Sequence, residues 1–559
     1  MEGDARQPGI ARRLQILVPL REALARPFDR FRDSTLDPQP YVAGEVQLLR
    51  LMTWPALSGL AGSLLILWGA SQPGSPFTLN SVSDSTLPIP SLIVNWKTWF
   101  FGTGAVPAHA PNVLIGVVGV YAGMFLMIRA WLALIHLTRL HPGIPLRAVW
   151  PVLVAWTVPL LIVAPLFSHD VYSYVAQGEE ASRHINPYMY PPSVLGTGGN
   201  PFAGFVDGLW GNTTSPYGPV FVWIAGAVLR IVDHGELAAL VSFRVLAVAG
   251  TALLAIFAPR LARSYGRDPG KVFVLVALNP LVLFHLVAGD HNDAIMIGLL
   301  VAGLSVSREK FRWAPAVGIL LCTLAALVKI PALVGVLYIG WDWLGPGVSP
   351  RRRIGPAAVA LAISGAIMTL VTWLVGFGWG WVAALQNPGA VSSWMDPATG
   401  FGDILAPLVS AVGFGDHKTG ILVLCKLLAG LVGLAIAARL LWKADGVGSV
   451  RAMALTLFVA VVCSPVVQPW YFVWGVAVAA VVAERRLRSW LVGVSVVMSF
   501  LGLPGGQTFL HELRRADPFA VASAVVALLA VALVLFGPEI RAIRLERRQP
   551  LLAAAEEVT

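Results

Sequence analysis

The sequence predicts an all-α fold, a polytopic transmembrane helical bundle of about fourteen spans. Three observations predict it. The chain of 559 residues is 57% hydrophobic and only 13% charged, with mean hydropathy +0.73; soluble domains carry about twice that charge fraction. Apolar runs of roughly 18–25 residues recur from residue 48 to residue 537, the length a helix needs to cross a bilayer. These runs are continuously apolar and do not alternate, which argues against a transmembrane β-barrel. The net charge of +10 reads as Lys and Arg gathered in cytoplasmic loops, not as a nucleic-acid-binding surface. Cys322, Cys425 and Cys463 lie far apart inside apolar segments and read as buried thiols, without a disulfide framework or metal cluster.

The elements follow in order. Residues 1–47, Arg-rich with several Pro, form a cytoplasmic tail, and no cleavable signal pattern precedes the first apolar run. A single membrane domain covers 48–537, and 538–559 is a second cytoplasmic tail. The first span is about 49–70, followed by an outer loop, 71–110, poor in basic residues. The second span is about 112–137 and leads to a basic inner turn around Arg139 and Arg147. The third, about 149–167, delivers Ser168-His169-Asp170 to the outside. The outer loop 168–236 contains Asp170, Glu179, Glu180 and Asp207. Its apolar run 218–232 is expected to lie flat on the outer face. Were it to cross, the Arg-rich loop 259–267 would fall outside, against the positive-inside tendency. Spans at about 237–258, 271–288, 293–306, 313–328, 331–344 and 354–376 then alternate, with Arg308, Arg312 and Arg351–Arg353 inside. An outer segment, 377–418, precedes spans at about 420–442, 451–465, 469–483, 488–503 and 518–537.

This topology gathers polar groups at the outer ends of the helices: Asp170, Glu179, Glu180, Asp290, His291, Asn292, Asp293, Lys329, Asp396, Gln468, Trp470 and Tyr471. One outer site built from several helix ends is the expectation; a carrier would instead need polar groups near the midplane. A carboxylate at the mouth of a membrane helix is tolerated mainly where it faces water, a cavity or a partner. Asp170 either ends its helix at the interface or acts as general base toward a sugar hydroxyl. The departing phosphate of an activated sugar needs a fixed cation; Lys329 suits that role, and its alternative is a snorkelling lysine. His291 binds phosphate, positions the acceptor or caps its turn. Asp290-His291-Asn292-Asp293 offers hard oxygens and an imidazole to a divalent cation, but without a specific spacing. No cofactor is expected. Asp293 also suits a helix start. Trp394, Trp470 and Tyr471 stack on sugars or mark the interface belt. Tyr217 and Pro219 lie in a turn leading into the flat helix.

Asp170-Val171-Tyr172-Ser173-Tyr174 with Ala176-Gln177-Gly178, Pro216-Tyr217-Gly218-Pro219, Gly289 with His291-Asn292, Val328-Lys329-Ile330-Pro331, Ser393-Trp394-Met395 and Gln468-Pro469-Trp470-Tyr471 together resemble the actinobacterial polyprenol-phosphate-mannose-dependent α-1,6-mannopyranosyltransferases. That family is similar to the GT-C glycosyltransferases, whose first large outer loop carries a catalytic acid. The resemblance spans about residues 50–500 and implies inverting transfer of mannose from a polyprenyl-phosphate-mannose donor to an α-1,6-mannan on a lipid anchor. The product would be the mannan core of lipomannan and lipoarabinomannan, made at the plasma membrane. Asp170 matches the family's loop acid, and Glu179 and Glu180 become shapers of the acceptor groove. His169, Tyr172, Tyr217, Asn292, Asp293, Trp394, Gln468, Trp470 and Tyr471 are the substrate-binding candidates, and Lys329 and His291 the donor-phosphate candidates. The rival readings are a GT-C transferase using another polyprenyl-linked sugar, and a lipid or sugar transporter.

Overall fold

The computed structural model of the chain describes residues 43–72, 110–196, 201–204, 206, 208–390, 395–414, 417–501, 525, 526 and 528–532. Among these residues every regular element is helical. Five helices have the length and apolarity to cross a membrane alone: Leu48–Ala70, Gly116–Leu140, Glu236–Ser264, Pro350–Val375 and Lys418–Trp442. Eight further apolar helices have 10–17 residues. A helix of 13 residues rises about 20 Å, against roughly 30 Å of hydrocarbon. The fourteen or so spans expected from the sequence include most of these shorter helices.

Helices α1 (Ala43–Ala70) and α2 (Ala110–Leu140) form a tight hairpin. A Cβ on Gly62 would stand 2.7 Å from the carbonyl oxygen of Gly123, so only small residues let the two backbones approach this far. Helix α3 (Leu146–Ile162) docks on α1, and Trp156 Nε1 donates to the Ala56 carbonyl at 2.9 Å. The third span was expected to continue to residue 167, but its helix stops at Ile162. Pro165 disfavours a helical residue before it, and Phe167 adopts a left-handed backbone with φ 64°. Asp170 therefore does not end a helix; it opens the next one, α4 (Asp170–Ser182).

Helices α4 and α5 (Pro219–Ile231) are both 13 residues long and lie against each other. A Cβ on Gly178 would meet the Ala225 carbonyl at 2.7 Å, so glycine sets their closeness. Helix α6 (Glu236–Ser264) absorbs most of the expected Arg-rich loop 259–267, with Pro259 inside it. The expected span 271–288 is broken. Helix α7 (Pro269–Val276), capped by the Asp268 carboxylate, stops short, and a π-helical turn Val282–Val287 follows Asn279-Pro280. Asn279 fastens the break by donating to the Leu275 carbonyl and to Ser495 Oγ.

Helices α8 (Asp293–Val306), α9 (Ala314–Ala326), α10 (Leu333–Asp342) and α11 (Pro350–Val375) follow. Arg351–Arg353, expected in a loop, sit in the first turn of α11. The expected outer segment 377–418 is itself partly helical: α12 (Pro397–Val409) starts at Pro397 because Asp396 accepts from the backbone of Ala398 and Thr399. Helices α13 (Lys418–Trp442), α14 (Ser449–Val462), α15 (Phe472–Val481) and α16 (Arg485–Ser499) complete the described bundle. The expected span 518–537 falls outside the described residues except for 525, 526 and 528–532, which are helical. Trp394, most of the 71–110 loop and nearly all of both tails also lie outside them.

Every residue of α15 is buried, and α6, α7 and α8 pack around it. The rim is different. Helices α11 and α13 turn apolar side chains outward, Trp373 at 74% exposure and Leu434 at 69%, as helices facing lipid do.

Candidate active site

Two chain segments are laid side by side before any catalytic group appears. The N–H of Leu166 donates to the Ala288 carbonyl at 2.9 Å. Gly289 makes the approach possible: a Cβ there would lie 2.5 Å from the His285 carbonyl oxygen and 3.0 Å from that of Leu166. One segment continues into Asp170, the other through Asp290 (φ 56°) into His291. The result is a contact between Asp170 Oδ2 and His291 Nδ1 at 3.3 Å.

The surroundings fix this pair. Ser168 Oγ accepts from the Asp170 N–H at 3.1 Å, and the carboxylate meets the positive end of α4. The fully buried His291 ring stacks on Trp470, centroids 3.8 Å apart and planes 23° apart. Burial pushes the Asp170 carboxyl up, but the His291 hydrogen bond and charge, with Lys329 and Ser168, outweigh it and hold the group below its usual value. The Asp170 side chain keeps 19% exposure, so it is an ionised carboxylate open on one side.

Lys329 lies close enough to Asp170 for the two charges to act on each other. Gly218 docks the Tyr217 turn onto the end of α9: its N–H donates to the Val328 carbonyl, and a Cβ would stand 2.1 Å from the Leu327 oxygen. Lys329 Nζ donates to both Asp293 oxygens at 2.9 and 3.0 Å. Asp293 also accepts from Trp474 Nε1 at 2.7 Å. The ammonium lies 4.2 Å from the Tyr471 ring centroid, and Tyr471 stacks on Trp474. Burial alone would lower the Lys329 pKa; Asp293, Tyr471 and Asp170 raise it instead, so it stays charged.

The structure thus brings together Asp170, His291, Asp293, Lys329, Trp470 and Tyr471 from four separate stretches of the chain. Tyr217 packs edge-on against Tyr174 at 5.2 Å, and Tyr174 Oη accepts from the Asn292 N–H. The Asn292 side chain is buried without a hydrogen-bond partner, as is His291 Nε2. His169 packs edge-on against Tyr172, and Gln468 is half-buried just before the turn Pro469–Tyr471. The two glutamates part company. Glu179 pairs with Arg183 and with His234. Glu180 is buried without a hydrogen-bond partner, and burial pushes it up to about 8.

Sequence reasoning missed three residues. Trp474 lies within an apolar run and carries no pattern that separates it from core, and Tyr174, though part of the Asp170–Tyr174 motif, was given no role of its own. Arg244 did carry a signal, an arginine inside an apolar run long enough to cross. It forms a buried ion pair with Asp290 and donates to the Leu160 carbonyl at 2.6 Å. Burial pushes Asp290 up to about 6, with Arg244 and His291 acting against that rise. Among the described residues, no group of three or more His, Cys, Asp or Glu side chains is placed to hold a metal ion.

Fold and site together describe a helical membrane protein that gathers a carboxylate, an imidazole and a lysine in one cluster. The chain belongs to the α-(1→6)-mannopyranosyltransferase family, and is accordingly a glycosyltransferase: residues 56–345 match the family's "Alpha-(1->6)-mannopyranosyltransferase, N-terminal domain", and residues 398–537 match the "MptB C-terminal domain". It is 31% identical over 477 residues to alpha-(1->6)-mannopyranosyltransferase A of Mycobacterium tuberculosis, covering 82% of this chain and 86% of the relative. It is 31% identical over 449 residues to a probable alpha-(1->6)-mannopyranosyltransferase of Mycolicibacterium smegmatis, covering 74% and 78%. It is 27% identical over 492 residues to alpha-(1->6)-mannopyranosyltransferase B of Corynebacterium glutamicum, covering 83% and 78%. No solved structure matches the chain.

Proposed function

We propose that the protein transfers mannose from a polyprenyl-phosphate-mannose donor to a growing α-1,6-mannan on a lipid anchor, with inversion, at the outer face of the plasma membrane. The observation that carries this reading is the partly exposed Asp170 carboxylate, with His291 Nδ1 at 3.3 Å from one oxygen and the Lys329 charge nearby. The 6-hydroxyl of the acceptor mannose loses its proton to Asp170 as its oxygen bonds to the anomeric carbon of the donor. The bond from that carbon to the phosphate oxygen breaks on the opposite face, through an oxocarbenium-like state. The electron pair leaves with the phosphate. Lys329, whose ammonium keeps a third hydrogen beyond the two bonded to Asp293, stabilises the charge that develops there. His169, Tyr172, Tyr217, Gln468 and Tyr471 line the approach, and the buried Asn292, Asp293 and Trp470 support it. A fixed lysine fills the role a metal would otherwise take, so no cofactor is invoked.

The test supplies labelled polyprenyl-phosphate mannose and a short α-1,6-mannoside to purified protein. Asp170→Asn is expected to lower the rate on the order of 100- to 10,000-fold, the usual weight of a general base. The wild-type rate should survive chelation of divalent cations. Full activity in Asp170→Asn would remove this residue as base. A stereochemically retained product would remove the single displacement.

The topology has its own test. With about fourteen spans and both termini inside, a cysteine at Asn212 should react with an impermeant thiol reagent from outside, and one at Ser264 should not. Labelling at 264 would overturn the outer placement of α5.

A further inference from the structure

We propose that Arg244 is a positioning residue of the transfer reaction: its guanidinium locks the turn that carries His291 against the end of α3, and so sets the imidazole on the carboxylate of Asp170. The proposal rests on Asp170 being the general base.

A guanidinium inside a membrane-crossing helix is costly unless it is fully paired. Arg244 spends its donors on two segments at once. Nη1 donates to the Leu160 carbonyl at 2.6 Å, in the last turn of α3. Its other side engages the second segment: the ion pair with Asp290, and Nη2 at 3.5 Å from the Ala288 carbonyl. Ala288 is also the acceptor for Leu166, four residues before Asp170. Arg244 therefore bridges the segment that ends in Asp170 and the segment that ends in His291. Asp290 needs such a tie, because its left-handed backbone is sparsely populated for a residue with a side chain and persists only when its surroundings impose it. His291 is the next residue, so a relaxed Asp290 turns the imidazole away from Asp170. The planar fork of arginine reaches both segments; the single ammonium of lysine does not.

The experiment compares Arg244→Lys, Asp290→Asn, Asp170→Asn and Arg353→Lys in the purified full chain, with the lipid donor and mannoside above. Arg353, buried in the first turn of α11 and bonded to the Trp341 carbonyl in the last turn of α10, serves as the structural control. Arg244→Lys is expected to lower kcat by about tenfold or more, the order of effect a small misplacement produces, with KM for the donor within about twofold. Its kcat should also lose its acid limb at a higher pH than wild type. Losing the His291 hydrogen bond and charge releases Asp170 upward. The other groups facing Asp170 stay in place: Lys329 after α9, Tyr217 before α5, Tyr174 on α4 and Tyr471 before α15. Asp290→Asn should reproduce the shift, and Arg353→Lys should lower thermal stability and leave the profile alone. An unshifted profile with wild-type kcat in Arg244→Lys overturns the proposal. So does loss of folded protein in both Arg244→Lys and Asp290→Asn, which would make the pair a folding element only. Activity surviving in Asp170→Asn removes the base itself; an inactive Asp170→Asn beside a normal Arg244→Lys removes only the positioning role.

Discussion

Two buried arginines stand at opposite ends of the bundle, and they differ in what surrounds them. Arg353, 1% exposed, closes its own network. It donates to the carbonyls of Trp341, Gly345 and Val348 and to Asp445, with Asp342 alongside holding Ser449. Arg244, 8% exposed, is buried too, yet polar atoms nearby remain without hydrogen-bond partners: the Asn292 side chain, His291 Nε2 and Trp470 Nε1. Buried polar groups are ordinarily satisfied, and an unsatisfied one costs free energy. A closed network serves the fold; an open one, beside a carboxylate that keeps 19% exposure, is shaped for a molecule that arrives later.

This contrast can be broken in three ways, in order of expected effect. The largest concerns the closed end. Replacing Arg353 by Leu strands three carbonyls, and leaving buried acceptors without a donor costs about 1–3 kcal/mol, whereas Asp445, 43% exposed, returns to water. Thermal unfolding in detergent should record that loss, with kcat of the surviving folded fraction unchanged. A fall in kcat comparable to that of the Asp170 variants would mean that the two ends are not separate. Second, His291→Phe keeps the stack on Trp470 and removes the hydrogen bond and charge on Asp170. Activity should fall by about tenfold, and the acid limb of kcat should move to higher pH, because the groups holding the Asp170 carboxyl down are gone. A limb that stays put would detach His291 from the base.

The smallest effect belongs to Glu180. Its folded pKa, about 8, lies above the ordinary 4.5, so between those values the folded chain holds a proton that the unfolded chain has released. Stability therefore falls as pH rises from about 4.5 to about 8 and is level in this respect beyond it. Glu180→Gln keeps the neutral shape and should flatten that slope, which a series of unfolding midpoints across pH would show. An identical slope in both proteins would mean Glu180 is ionised and partnered in the fold.

The glutamates also show how far sequence reading reaches. Glu179 and Glu180 are adjacent in a helix and chemically alike, and the positive-inside argument assigns both to one outer loop. Nothing in the sequence says that one meets Arg183 and His234 while the other is sealed off. That follows from which face of α4 packs on α5, and from where the chain returns after Val232. Arg244 differs again: its type and position were visible, but its partners come from residues far away in sequence.

Some properties required only the chain itself. Composition and long apolar runs made this an all-helical membrane protein, because backbone polar groups in lipid must be satisfied within each helix. Charge bias leads only to the expectation that the polar helix ends share one side, and the ordered motifs around Asp170, Gly218, Lys329 and Trp470 pointed to the family. The tertiary structure decided the rest. It ended α3 at Ile162, broke the span after Val276, and let Gly218 and Gly289 bring distant backbones within contact. Those breaks bring the Asp170, His291 and Lys329 side chains near one another. Helix periodicity describes each segment alone, whereas a site of this kind exists only where segments from separate parts of the chain stop at the same place.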